Sequence, residues 1–161
     1  MIIKTILDED FVQYKEPCMY IGTAFCGGKC CIEANIPLSV CINDAWRETA
    51  TVDMADEKII ERYISNSITK AICFAGLEPF EQLGEMSNLI SKLRNDYHCG
   101  DTVLIYTGYK EDEIKEQIEL LKPYGNIVVK FGRFIPGHNK HYDEVLGTHL
   151  ASDNQYGKVI C

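Results

Sequence analysis

Between residues 56 and 131 the chain alternates amphipathic stretches with short, wholly apolar runs. The stretch DEKIIERYISN, residues 56–66, places Ile59, Ile60, Tyr63 and Ile64 on one helical face, with Asp53 or Asp56 near its start. Ala71-Ile72-Cys73-Phe74-Ala75 then runs apolar up to Gly76 and predicts a buried strand. Residues 80–95 return to helical spacing through Leu83, Met86, Leu89, Ile90 and Leu93. Val103-Leu104-Ile105-Tyr106 predicts a second strand, closed by Thr107-Gly108. A helix over residues 110–122 uses Ile114, Ile118 and Leu121, with Pro123 and Gly125 to stop it. Ile127-Val128-Val129-Lys130 is the third strand of this kind.

Strand, helix, strand, helix, strand implies parallel crossovers, and so an α/β fold with a mostly parallel sheet. Ligands of such sheets sit at the carboxyl ends of the strands. Three of these ends carry glycine-bearing or polar turns: AGLEP at 75–79, TGY at 107–109 and FGRF at 131–134. If residues 18–25 form a first strand, the cysteine-rich stretch that follows is a fourth strand-end loop. All four features then crowd one mouth of the sheet.

Composition narrows this picture. A chain of 161 residues is one domain by length, and 46% hydrophobic with 25% charged residues is ordinary for a globular core that needs no disulfide staples. Met1-Ile2-Ile3-Lys4 runs into Asp8, Glu9 and Asp10 with no apolar stretch of secretory or membrane-spanning length, which predicts a cytoplasmic protein. The net charge of −8 argues against a nucleic-acid partner, because phosphate binding needs a basic patch to displace counterions.

Four of the eight cysteines, Cys26, Cys30, Cys31 and Cys41, lie within sixteen residues. In a reducing compartment such a cluster points to metal binding or redox chemistry. Cys26 and Cys30 have the spacing of two thiolates on one metal centre, and Cys41 or Cys31 supplies a third. Thiolates select zinc or iron–sulfur. A closed zinc site uses all four, although zinc ribbons carry two short cysteine pairs and only one is present. Cys18, Cys73, Cys99 and Cys161 are candidates for inert buried residues. His138 and His141 read as loop residues.

The order of these motifs resembles the small radical S-adenosylmethionine enzymes, above all the activating proteins of anaerobic ribonucleotide reductase. That family carries a C-x3-C-x2-C loop that often continues as C-Y-N. Here Cys26-x3-Cys30 is followed by Cys41-Ile42-Asn43, as though about eight residues had been inserted. Ala75-Gly76-Leu77-Glu78-Pro79 resembles the family's G-G-E-P turn, and Thr107-Gly108-Tyr109 its T-G-Y. Phe131-Gly132-Arg133-Phe134 resembles D-G-x-F with Phe131 in place of the acid, and Ser152-Asp153-Asn154-Gln155 resembles S-x-N-Q. The stretch Tyr14-Lys15-Glu16-Pro17-Cys18 lacks the D-G-P-G-x-R turn of those activators.

The resemblance implies a partial (β/α) barrel of the radical S-adenosylmethionine type, spanning residues 1–161 as a single domain. It implies a 4Fe–4S cluster held by Cys26, Cys30 and Cys41, with Cys31 as the alternative ligand. S-adenosylmethionine would lie against Gly76, Leu77, Glu78 and Pro79, its adenine on Val40, and its nucleoside near Thr107 and Tyr109. The partners implied are a glycyl-radical enzyme and an electron donor. Against this stand plainer roles: a simple turn at 76–79, a helix cap at Thr107 and a core aromatic at Tyr109. A non-catalytic zinc or iron–sulfur module and a thiol redox protein are the competing function classes.

Overall fold

The computed structural model describes all residues, Met1–Cys161. Its centre is a seven-stranded open sheet. In chain order the strands are β1 (Ile2–Asp10), β2 (Cys18–Thr23), β3 (Val52–Asp53), β4 (Ala71–Gly76), β5 (Thr102–Tyr106), β6 (Ile127–Phe131) and β9 (Tyr156–Val159), the last reached after a separate hairpin, β7 (His141–Asp143) and β8 (Thr148–Leu150). Spatially the order is β3-β1-β2-β4-β5-β6-β9. The inner four, β2, β4, β5 and β6, are mutually parallel. β1, β3 and β9 pair antiparallel outside them, leaving β3 and β9 as free edges.

The helices are α1 (Lys29–Ala34), α2 (Asp44–Arg47), α3 (Asp56–Ser65), α4 (Leu83–Asn95) and α5 (Lys115–Leu121). Residue alternation in the parallel strands divides the interior into two. Met19, Ile21, Ile72, Phe74, Val103, Ile105, Ile127 and Val129 face α3, α4 and α5, making a core of 22 buried residues. Cys18, Tyr20, Cys73, Leu104 and Val128 face the other way, under Tyr14, Leu146 and Leu150 of two non-helical segments. No helix is long and apolar enough to cross a membrane.

Several expectations change in detail. Ile59, Ile60 and Tyr63 of α3 are buried, but Ile64 is 48% exposed, because one residue beyond Tyr63 turns it off the stripe. α3 starts at Asp56, which carries the N-terminal ammonium of Met1 at 3.3 Å and Lys92 at 3.1 Å. The expected helix over 110–122 is broken: a 3-10 turn at Glu111–Glu113, then α5, then a second 3-10 turn at Lys122–Tyr124 that contains Pro123. Ile114 at φ −130° is the break. Gly125, in the left-handed φ region at +66°, ends the second turn. Of the cysteines expected to be inert, Cys18 and Cys73 are buried, Cys99 is half-buried and Cys161 is exposed.

Candidate metal–sulfur site at the strand ends

β2 delivers the chain at Thr23 to the segment Ala24–Gly28, which is sewn to the turn after β4. Ala24 N–H donates to Gln82 Oε1 at 2.5 Å, Gly27 N–H donates to Glu81 Oε1 at 2.7 Å, and Glu78 N–H donates to the Phe25 carbonyl at 2.7 Å. Two donors and one acceptor of an irregular loop are thereby satisfied by its neighbour. Cys26 is held between Gly28, whose N–H donates to Sγ at 3.3 Å, and Arg47, whose guanidinium donates to the Cys26 carbonyl at 2.6 Å. Asn43 Nδ2 donates to the Gly76 carbonyl at 2.5 Å and ties the Cys41–Asn43 segment to the end of β4.

Glu78 is the centre of the fixed part. It is 7% exposed, and its carboxylate accepts from Thr107 Oγ1 at 2.7 Å, from Gly108 N–H at 2.9 Å and from Phe80 N–H at 3.2 Å. Thr107 Oγ1 in turn accepts from Tyr109 N–H at 3.0 Å. Beneath them Lys130 Nζ donates to the Gly132 carbonyl at 2.9 Å and the Thr107 carbonyl at 3.3 Å. Burial pushes the Glu78 carboxyl up against its three hydrogen bonds. Burial pulls Lys130 down to about 8, with Glu78 opposing. Each group is driven towards its neutral form by desolvation and held charged by its surroundings.

A small pocket adjoins this network, lined by Cys26, Lys29, Cys30, Glu78, Gly108 and Tyr109 together with Glu81 and Arg133. Gly108 matters through its missing side chain: a Cβ there would lie 2.5 Å from Cys30 Sγ. Burial raises the Cys26 thiol, against the Gly28 N–H and Arg47. Burial also pushes Cys30 up to about 11, with Arg133 opposing. Both thiols are thus protonated near neutrality until a metal displaces the proton.

Of the residues singled out in the sequence, the pocket therefore gathers Cys26, Cys30, Glu78 and Tyr109. Gly76, Leu77, Pro79 and Thr107 frame it; Thr107 is neither an α-helix cap nor a pocket-lining group but a partner of Glu78. Val40 ends a 3-10 turn at Leu38–Val40 and is 41% exposed, away from the pocket lining. Cys41 follows that turn, and Cys31 is buried on the far side of α1, where burial and the Cys41 thiol raise it. No three His, Cys, Asp or Glu side chains come together as a metal site. His138 pairs with Asp153 at 2.6 Å. Sequence reasoning missed Asn43, Lys130 and Arg133; the strand-end FGRF segment was the available signal for the last.

An open α/β sheet with two thiols in a pocket at its parallel strand ends places soft-metal ligands where such sheets bind their ligands. The chain belongs to the 4Fe–4S single cluster domain family, whose description matches residues 25–155. No curated protein and no solved structure matches it. The donor set fits a 4Fe–4S cluster in kind, since all eight cysteines are free thiols and four of them lie in one strand-end loop. In place, Cys26 and Cys30 share the pocket, while Cys31 and Cys41 stand outside it.

Proposed function

We propose that this 4Fe–4S domain is a cytoplasmic radical enzyme that uses S-adenosylmethionine and acts on a glycyl-radical partner of the anaerobic ribonucleotide reductase kind. The observation that carries the reading is the meeting of Cys26 and Cys30 with the Glu78 turn and Gly108–Tyr109 at adjacent parallel strand ends. Cys26 and Cys30 would hold the cluster together with Cys41, or with Cys31 in its stead. A third thiolate requires the 31–41 segment to shift relative to the pocket. When bound, the cluster would supply the electron that cleaves S-adenosylmethionine to methionine and a 5′-deoxyadenosyl radical.

The chain's own contribution is orientation and exclusion of water. The Gly76–Pro79 turn reaches the pocket through Glu78, and Gly76, at φ +89°, lets it lie tight against β2, where a Cβ would stand 3.2 Å from Gly22 Cα. Glu78 keeps the turn and the Thr107–Tyr109 loop in one arrangement. Tyr109 offers an aromatic wall, backed by Lys29 at 5.3 Å from its ring centre, against which a nucleoside would lie. Val40 would reach an adenine only if its segment moved with Cys41. A protein substrate and a separate electron donor complete this reading.

A second reading, a non-catalytic iron–sulfur or zinc module, draws on the separation of Cys31 and Cys41 from the pocket. Anaerobic reconstitution distinguishes the two. About four irons per chain, a reduced-state paramagnetic spectrum altered by S-adenosylmethionine, and release of 5′-deoxyadenosine are expected. Zinc without iron, or a cluster indifferent to S-adenosylmethionine, would leave the module.

A further inference from the structure

Arg133, just beyond β6, is 6% exposed, and its guanidinium gathers groups from three separate stretches. Nη1 and Nη2 form a two-point pair with Glu113, each at 2.8 Å. Nη2 donates to Glu33 Oε1 at 2.9 Å, and Nε lies 2.7 Å from Glu33 Oε2. Nη1 also donates to the Gly108 carbonyl at 3.1 Å. The backbone of Arg133 is itself pinned, since Asn154 Nδ2 donates to its carbonyl at 3.0 Å and Gln155 Nε2 donates to the Gly132 carbonyl at 3.2 Å. Lys29 adds a second bridge, 3.0 Å from Glu113 and 3.7 Å from Glu33.

These contacts fall on the element that most needs them. α1 is six residues long, so helix propensity does not set its rotation about its own axis, and the buried Cys31 is all the apolar anchor it has. Glu33 follows Cys30 by three positions, which puts both side chains on one face of the helix. Cys31 is turned from Cys30 by about 100°. Whatever grips Glu33 therefore decides which thiol meets the pocket. An arginine suits this task because its planar fork engages two carboxylates at once, which a lysine ammonium does not.

The geometry points to Arg133 as the positioning residue of the site: through Glu33 it clamps α1 so that Cys30, not Cys31, stands beside Cys26. The role of Cys30 as a ligand rests on the function proposed above, whereas the clamp itself is a property of the polypeptide.

The test uses the full chain and the variants E33Q, R133K and R133A. Amide hydrogen exchange on cluster-free protein should show Cys31, Ile32, Asn35 and Ile36 exchanging at least about tenfold faster in E33Q and R133K, with Val103–Ile105 of β5 unchanged. Maleimide labelling read by mass spectrometry should favour Cys30 over Cys31 in the wild type and lose that preference in E33Q. After reconstitution, the reduced cluster of E33Q should give a shifted or broadened paramagnetic spectrum. Should R133A fail to fold, E33Q, altered at a half-exposed side chain, still decides. Unchanged exchange and labelling in both E33Q and R133K would overturn the clamp. Faster exchange with a wild-type spectrum and full iron would reduce Arg133 to a purely structural residue and overturn its positioning role. Altered exchange in the variants, with a wild type that takes up no cluster on reconstitution, would leave the clamp standing and sink the radical-enzyme reading instead.

Discussion

The two halves of the strand-end mouth are built by different rules. On one side, the turns after β4, β5 and β6 interlock through buried polar groups: Glu78 takes three hydrogen bonds and Lys130 gives two, so hardly any freedom remains. On the other side, the 26–47 segment has four cysteines and two short helices but little apolar burial, with Ile32, Leu38, Val40 and Ile42 exposed. The fixed half is organised by the protein alone. The cysteine half is organised chiefly around Cys26 and Cys30, which are held by Arg47 at its own far end and by Glu81 and Arg133 from outside it.

The comparison can be broken most severely at a ligand. Replacing Cys26 or Cys41 with alanine should reduce cluster iron to background after reconstitution, while Cys73→Ala, deep in the opposite sheet face, should retain nearly all of it. Full iron in Cys41→Ala would show that the loop does not deliver that thiol. Gly108→Ala comes next. Its methyl group would stand 2.5 Å from Cys30 Sγ, so a loss of about 1–3 kcal/mol in urea unfolding and a several-fold loss of iron are expected together. Wild-type behaviour on both counts would mean that Cys30 moves freely even without metal.

Glu78→Gln probes the fixed half. One amide face would present a donor to the Gly108 N–H, costing about 1–3 kcal/mol by chemical denaturation and loosening the 107–109 turn. A smaller effect is expected from pH. Lys130 titrates at about 8 in the folded chain, below its ordinary value of 10.5. Between those values the unfolded chain binds the extra proton, so this group makes stability rise with pH, and the gain is complete once pH exceeds the ordinary lysine range. The stability of the wild type relative to Lys130→Met should therefore increase from pH 8 to pH 10, and a constant difference would remove Lys130 from the account. Val40→Ala, at an exposed position, should change stability by less than about 0.5 kcal/mol.

The helix-facing core was legible because it obeys period. Ile59, Ile60 and Tyr63, the Met86–Leu93 set, and the apolar runs of β4, β5 and β6 all repeat at the spacing of their own element. Ile64 was read onto the same face but sits just outside the buried stripe, whose width depends on what lies opposite. β1 was hidden because its outer half, LDED, is mostly acidic and exposed, beyond the two residues that β3 covers. β9 and the β7–β8 hairpin are short, and nothing in their local spacing marks them as strands.

For the site, the chain's own order of residues was enough to place Cys26, Cys30, Glu78 and Tyr109 at neighbouring strand ends, because parallel topology converts strand termini into one surface. It was also enough to point to thiolate chemistry, because residue type determines which metals a side chain prefers. Only the tertiary structure decided that Glu78 faces Thr107 and Gly108, that Lys130 lies beneath them, and that Arg133 reaches across from β6 to grip α1. It alone separated Cys30 from its neighbour Cys31. Those outcomes depend on which side chains meet across elements distant in sequence, and on how a six-residue helix is rotated; spacing along the chain carries neither.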